Sequence, residues 1–243
     1  MIDASVVEVW RGSLDQGPDL RARLEAVLDR DELERAAAFR FLRDRDRFVV
    51  GRGLLRMLLA RYLGRAPEEV RFRYGRERKP ALAGDELRFN LAHAEGTVLY
   101  AFSPAFDIGV DVELMGPNVA DGRVAERFFS PREVAALRAV PERDRIKAFL
   151  TCWTRKEAVL KAHGDGLMLP LDSFEVTLAP GEPAELLSAE WAPGDRARWQ
   201  LVDLSETTRG EIAALAAPAR GWVHTCRDID MTTVVLNREE KSR

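Results

Sequence analysis

The sequence predicts an α+β protein made of two similar α/β halves related by a pseudo-twofold, and three observations carry that reading. The order strand, helices, strands runs twice along the 243 residues. The stretch from Arg47 to Gly64 returns from Lys147 to Gly164 at a constant offset of 100 residues, which pairs Arg47 with Lys147, Arg56 with Lys156, Arg61 with Lys161 and Gly64 with Gly164. With 46% hydrophobic and 32% charged residues the chain has the composition of a globular protein with a sizeable core. The halves are set at residues 1–105 and 106–243 and joined near Ser103 to Phe106, with the last ~25 residues packing back on the first half. A cleft between them is the expected place for a ligand.

Ser5 to Trp10 reads as the first strand. From Leu20 to Leu63 apolar residues recur at helical spacing between many Arg, Asp and Glu, and Gly64 stops the run. Val70 to Tyr74 is a short strand and Gly75 to Pro80 a basic turn with Arg76, Arg78 and Lys79. Leu87 to Ala92 and Thr97 to Phe102 form a strand pair around a tight connection, and Asp107 to Leu114 is the next strand. Past Gly116-Pro117, helices resume at Gly122 to Phe129, Arg132 to Ala139 and Arg143 to Ala162; strands return at Ser173 to Leu178, Trp199 to Asp203 and Glu211 to Ala216. Ser130-Pro131-Arg132-Glu133 reads as a capping box, which gives Glu133 a structural task.

Charge and patterning remove several function classes. The 37 Lys and Arg against 40 Asp and Glu leave a net charge of −3, so no global positive field exists for nucleic acid or an anionic membrane. The apolar stretch Leu54 to Leu63 is broken by Arg56 and Arg61, and none approaches the ~20 residues of a spanning helix. Met1 to Arg11 carries Asp3 and Glu8 and lacks the three sections of a signal peptide, so cytoplasmic residence is expected. Cys152 and Cys226 make no CxxC and read as reduced thiols, and His93, His163 and His224 lack zinc-ligand spacing.

Three segments can carry chemistry. In Gly109-Val110-Asp111-Val112-Glu113, strand alternation points Ile108, Val110 and Val112 one way and both carboxylates the other. Neighbouring carboxylates repel unless a hard cation lies between them, the usual setting for Mg²⁺; a strand with one wet face is the other reading. In Trp153-Thr154-Arg155-Lys156-Glu157-Ala158-Val159-Leu160-Lys161, the residues Trp153, Glu157 and Lys161 form one line along a helix, with Phe149 a turn earlier. Taken alone, Glu157 and Lys161 also read as a solvated pair worth ~0.3–0.5 kcal/mol. His93, ending Phe89-Asn90-Leu91-Ala92-His93, either donates to a phosphate or serves as a structural hydrogen-bonding residue.

In this order, Gly75 with Lys79-Pro80, the segment ending in His93, Gly109 to Glu113, Arg127-Phe128-Phe129-Ser130, Trp153 to Lys161 and Gly166-Leu167 to Phe174 resemble a known family. It is that of the 4'-phosphopantetheinyl transferases, in the two-halved type that includes the surfactin synthetase activator. The resemblance implies their pseudo-twofold fold and transfer of the 4'-phosphopantetheine arm of coenzyme A to a serine of apo acyl or peptidyl carrier proteins. The products would be holo carrier and 3',5'-ADP, the reaction of a holo-[acyl-carrier-protein] synthase. It further implies Asp111 and Glu113 as ligands of Mg²⁺, with Mn²⁺ the alternative ion, and Glu157 as a third ligand or the base that takes the serine proton. Lys161 would sit at the phosphate under attack or protonate the leaving ADP, assisted by Lys156. Arg35, Arg47, Lys79 and His93 would bind the coenzyme A phosphates, and Pro80 would line the nucleotide pocket.

An acidic carrier helix would dock on Arg-rich helices such as Arg123 to Arg138, and a monomer is expected because one chain already holds the cleft. The chain departs from the family pattern at Ala92, where a serine is usual, at Phe48, where a threonine is common, and at Arg76-Glu77-Arg78, inserted ahead of Lys79. Losing one hydrogen bond to a charged group costs ~1.5–3 kcal/mol, so weaker coenzyme A binding is the expectation from Ala92. A non-catalytic relative that only binds coenzyme A or the carrier would not need Asp111, Glu113, Glu157 and Lys161 together. An unrelated phosphotransferase would need a phosphate-cradling GxxxxGK[ST] loop, which the sequence lacks.

Overall fold

Strand alternation ahead of a long helical run sets the start of the chain in the computed structural model, which describes residues 2–74, 79–84, 86–116, 122–164, 169–191, 194–206, 208 and 210–231. Strand β1 (Val6–Ser13) leads into α1 (Pro18–Glu25), α2 (Arg30–Ala37) and α3 (Leu42–Leu63), so the helical run is cut twice. A capping box starts α2: the Asp29 carboxylate accepts the Glu32 N–H, and the Glu32 carboxylate accepts the Asp29 N–H. Gly64 ends α3 in the left-handed conformation, at φ 65°.

A small hairpin follows, β2 (Phe72–Tyr74) with β3 (Pro80–Leu82). Its basic turn, including Arg76 and Arg78, lies outside the described residues. Next come β4 (Arg88–Ala94), β5 (Thr97–Ser103) and β6 (Gly109–Leu114), then α4 (Gly122–Phe128), α5 (Pro131–Ala139) and α6 (Arg145–His163). The order ends with β7 (Phe174–Val176), β8 (Leu186–Ala189), β9 (Gln200–Asp203), β10 (Glu211–Ala217) and β11 (Val223–Asp228). Gly166 and Leu167 of the quoted motifs are also outside the described residues.

Two sheets organise these elements, β11-β1-β5-β4 and β6-β10-β9. One face of each enters a shared apolar layer, with Val7, Val9, Leu99 and Ala101 from the first and Val110, Val112, Ala213 and Leu215 from the second. The other face of the first sheet packs Trp10, Tyr100 and Phe102 against Leu54, Leu55 and Leu58 of α3. That of the second packs Ile212, Ala214 and Ala216 against Ala158, Val159 and Ala162 of α6. The result is an α+β stack of helix, sheet, sheet and helix. Strands β3, β8 and β11 are absent from the sequence reading. Val223 to Asp228 shows no apolar alternation and stays half-buried or exposed; it is a strand because β1 offers it an open edge, Val6 beside Val223 in parallel.

The 100-residue offset has a physical counterpart. Arg56 of α3 is fully buried and donates to the Glu32 carboxylate at 2.6 Å and to the carbonyls of Pro67 and Val70, each at 3.0 Å. Lys156 of α6 is equally buried, 2.8 Å from the Glu133 carboxylate, and donates to the carbonyl of Leu171 at 2.7 Å and to that of Phe174. Glu133 completes the capping box with Ser130 that starts α5. Lys156, expected to assist catalysis, has its three donors on Glu133 and two carbonyls, the contacts of a core pin.

A second constraint is steric. A Cβ on Gly109 would lie 2.0 Å from the Ala158 carbonyl oxygen, 2.6 Å from the Ala162 nitrogen and 2.9 Å from the Lys161 Cβ. Helix α6 therefore lies directly on β6, at a separation only glycine permits.

Two outcomes follow. Lys156→Ala should destabilise the protein by ~3–5 kcal/mol in denaturant titration, because Glu133 is left buried without its cation. Its turnover per folded molecule should stay near wild type. Gly109→Ala should lower stability by ~1–3 kcal/mol and also lower turnover, since α6 must lift off the strand.

Candidate active site

Strand β6 and helix α6 place the acids and the lysine. Gly109, Asp111 and Glu113 alternate onto the face covered by α6. Asp111 is 6% exposed; its Oδ1 accepts the Lys161 ammonium at 2.6 Å, and the same ammonium donates to the Val110 carbonyl at 3.1 Å. Glu113, half-buried, accepts a hydrogen bond from the Trp153 indole and feels the charges of both Asp111 and Glu157. Trp153 stacks on Phe149 at 6.1 Å and meets Phe128 edge-on at 5.9 Å, an aromatic wall at one end of the acids. The structure thus brings Asp111, Glu113, Glu157 and Lys161 together.

Burial raises the Asp111 pKa, opposed by the Lys161 charge and by a hydrogen bond from the Val112 backbone. Glu113 is raised by burial first, then by the negative charges of Asp111 and Glu157, with Lys161 acting the other way. A carboxylate raised by two neighbouring acids, beside a second one raised by burial, fits a hard cation chemically, and the Asp111 Oδ2 is buried without a hydrogen-bond partner. As placed, no three His, Cys, Asp or Glu side chains among the described residues enclose a metal position. The donor set, Asp111, Glu113 and Glu157, still suits Mg²⁺.

The first half contributes cations. His93, at the exposed end of β4, is pushed below its ordinary pKa by desolvation and by the charges of Lys161 and Arg47, with Asp111 opposing. Lys79 is lowered mainly by burial and also by Lys161; its ammonium donates to the Lys161 carbonyl in the last turn of α6. Arg47 is gripped by Asp15 through two hydrogen bonds, 2.7 and 3.0 Å, and by Glu95 at 3.0 Å. Arg35 has its guanidinium 5.1 Å from the centroid of the Phe48 ring. Pro80 opens β3, half-buried opposite Tyr74.

Both departures from the family pattern have structural settings. Phe48 packs on the cluster of Leu28, Ala36 and Val49. Ala92 is buried in the layer between the sheets, on the opposite side of β4 from His93, so the side chain at this position enters an apolar layer. Sequence reasoning assigned no role to Asn90, whose buried carboxamide accepts the Val110 N–H at 2.9 Å. A polar residue among the apolar ones of a strand was the available signal.

Comparisons with known proteins agree with this architecture. The family model for the 4'-phosphopantetheinyl transferase superfamily matches residues 107–217, and that for 4'-phosphopantetheinyl transferase, N-terminal, matches residues 16–105. The chain is similar to the 4'-phosphopantetheinyl transferase HetI of Nostoc, 40% identical over 220 residues and 89% of each chain. It is 31% identical to the 4'-phosphopantetheinyl transferase Sfp of Bacillus subtilis over 157 residues, 64% of this chain and 69% of the relative. With the 4'-phosphopantetheinyl transferase AcpT of Salmonella typhimurium it shares 38% identity over 110 residues, 45% and 56% of the two chains. Two family models that meet at the junction between β5 and β6, and a relative aligned over nearly its whole length, place the chain among the 4'-phosphopantetheinyl transferases.

Proposed function

We propose that the chain loads carrier proteins: it moves the 4'-phosphopantetheine group of coenzyme A onto a serine of an apo acyl or peptidyl carrier protein and releases 3',5'-ADP, as a holo-[acyl-carrier-protein] synthase does. The observation that carries this reading is the meeting of Asp111, Glu113, Glu157 and Lys161 between one strand and one helix, with His93 and Lys79 of the other half beside them.

Asp111 and Glu113 would hold Mg²⁺ together with Glu157. When bound, the ion supplies charge neutralisation at the pyrophosphate. Lys161 delivers positive charge at the phosphate under attack and is already aimed by Asp111 and the Val110 carbonyl. Glu157, on the same helix line, takes the serine proton. His93, Lys79 and Arg47 receive the coenzyme A phosphates; for Arg47 the incoming anion replaces contacts to Asp15 and Glu95. Arg35, beside Phe48, serves the nucleotide end, and Pro80 borders it. The exposed Arg132 on α5 offers a local positive contact for an acidic carrier helix. A single chain supplies both sides of the site, so a monomer suffices.

Intact mass of apo carrier proteins after incubation with the protein, coenzyme A and Mg²⁺, with a chelator control, tests this directly. A metal-dependent gain of one phosphopantetheine group is the expected result; no gain on any carrier would overturn it. Asp111→Asn and Glu157→Gln should each lower turnover by roughly 100-fold or more at saturating Mg²⁺. Lys161→Ala should lower turnover far more than coenzyme A affinity.

Asp111 and Glu113 also set a pH dependence. Each holds its proton more tightly in the folded protein than in the unfolded chain, so their contribution to stability is present at acid pH and is lost as pH rises through the raised values. Asp111→Asn, which removes that loss, should raise the melting temperature at neutral pH while abolishing transfer. In the wild type the acid limb of turnover should fall above the usual carboxylate value of ~4.

A further inference from the structure

Among the described residues strand β6 is an edge strand, paired with β10 on one side alone. On its other side the Val110 N–H donates to Asn90 Oδ1 at 2.9 Å, and the Val110 carbonyl accepts the Lys161 ammonium at 3.1 Å. One residue, directly before Asp111, is therefore held from both halves of the molecule. Asn90 is 5% exposed, on a face of β4 whose neighbours Ala92 and Ala94 are apolar. A buried carboxamide there costs stability unless its bond does something an apolar residue cannot. It lies three residues before His93, so the bond ties the strand of His93 to that of Asp111. Lys79, from the same half, holds the other end of the pair through the Lys161 carbonyl.

We propose that Asn90 is a positioning residue for phosphopantetheine transfer: its carboxamide fixes the Val110 peptide and, through it, the Asp111 carboxylate against Lys161 and within reach of the cations of the first half. This rests on Asp111 and Lys161 forming the reacting site. Without the acceptor, the Val110 N–H is buried unsatisfied, and on the side of β6 away from β10 only Lys161, through the Val110 carbonyl, still holds this peptide.

The test compares wild type, Asn90→Leu, which keeps the branched heavy-atom skeleton and removes the acceptor, and Asn90→Asp, which keeps an acceptor oxygen. Turnover and KM for coenzyme A are measured by carrier mass, the melting temperature by scanning calorimetry and Val110 amide exchange by NMR. Asn90→Leu should lower kcat by roughly 10- to 100-fold, as a small misplacement of reacting groups does, with KM for coenzyme A changed less than about threefold. Its Val110 amide should exchange faster than in wild type. Asn90→Asp should recover most of kcat, with the acid limb of its pH profile moved upward by the second carboxylate beside Asp111. If Asn90→Leu does not fold, Asn90→Ala, which also lacks the acceptor, takes its place in the same comparison. A folded acceptor-less variant with wild-type kcat, or one that loses only melting temperature, would overturn the proposal. Failure of wild type to load any carrier would overturn the functional reading and this one with it.

Discussion

The close approach of α6 to β6 at Gly109 is the constraint on which the site depends. It is produced by packing: Ala158, Val159 and Ala162 settle on Ile212, Ala214 and Ala216, while Gly109 leaves room for the helix backbone. The charged contacts are a consequence. Lys161 reaches Asp111 because the helix is already down on the strand, and the acids gathered there remain uncomfortable, with Asp111 and Glu113 both pushed up by burial. A fold optimised for stability alone would not leave a buried carboxylate oxygen unpaired at that point.

The two halves share a device and differ in its use. Each long helix carries a fully buried cation, Arg56 or Lys156, that ties the helix to a glutamate of a capping box and to two carbonyls of the chain that follows. The guanidinium and the ammonium do the same work with different geometry. One turn further the halves diverge. Lys161 faces the acids of β6, whereas Arg61 lies over Trp10 at 5.5 Å in a cavity of about 200 Å³ also lined by Ile2, Glu8, Tyr62 and Arg227. There the Glu8 carboxylate is taken by the Tyr62 hydroxyl at 2.5 Å, and Tyr62 accepts the Trp10 indole at 2.6 Å. The other oxygen of that carboxylate lies 4.0 Å from the Arg227 guanidinium, so this acid already has its partners within the first half's own cavity.

Local chemistry was legible in the sequence, and long-range pairing was not. Alternation in Gly109 to Glu113 and the four-residue spacing of Trp153, Glu157 and Lys161 place these residues on facing surfaces, and the structure brings them together. Spacing along a helix does not say which face meets the core, so the place of Lys156 beside Glu157 gives no sign of a side chain that turns toward Glu133. Asp29-x-x-Glu32 was as readable as Ser130-x-x-Glu133, yet it sat inside a long helical pattern that masked the break between α1 and α2. Strand β11 has no local signal at all, since its partner β1 lies at the other end of the chain. The register of the basic turn before Lys79 falls outside the described residues.

The parallel pairing of β1 with β11 also bears on how the chain is made. Strand β1 has its place in a sheet between β5 and a strand that begins more than two hundred residues later. While synthesis proceeds, one edge of β1 is therefore open, with Val7 and Val9 on a surface that needs the second half as cover. Such high sequence separation slows folding and prolongs the life of incomplete forms. The two halves resemble each other in plan, but the nascent chain cannot finish one before starting the other.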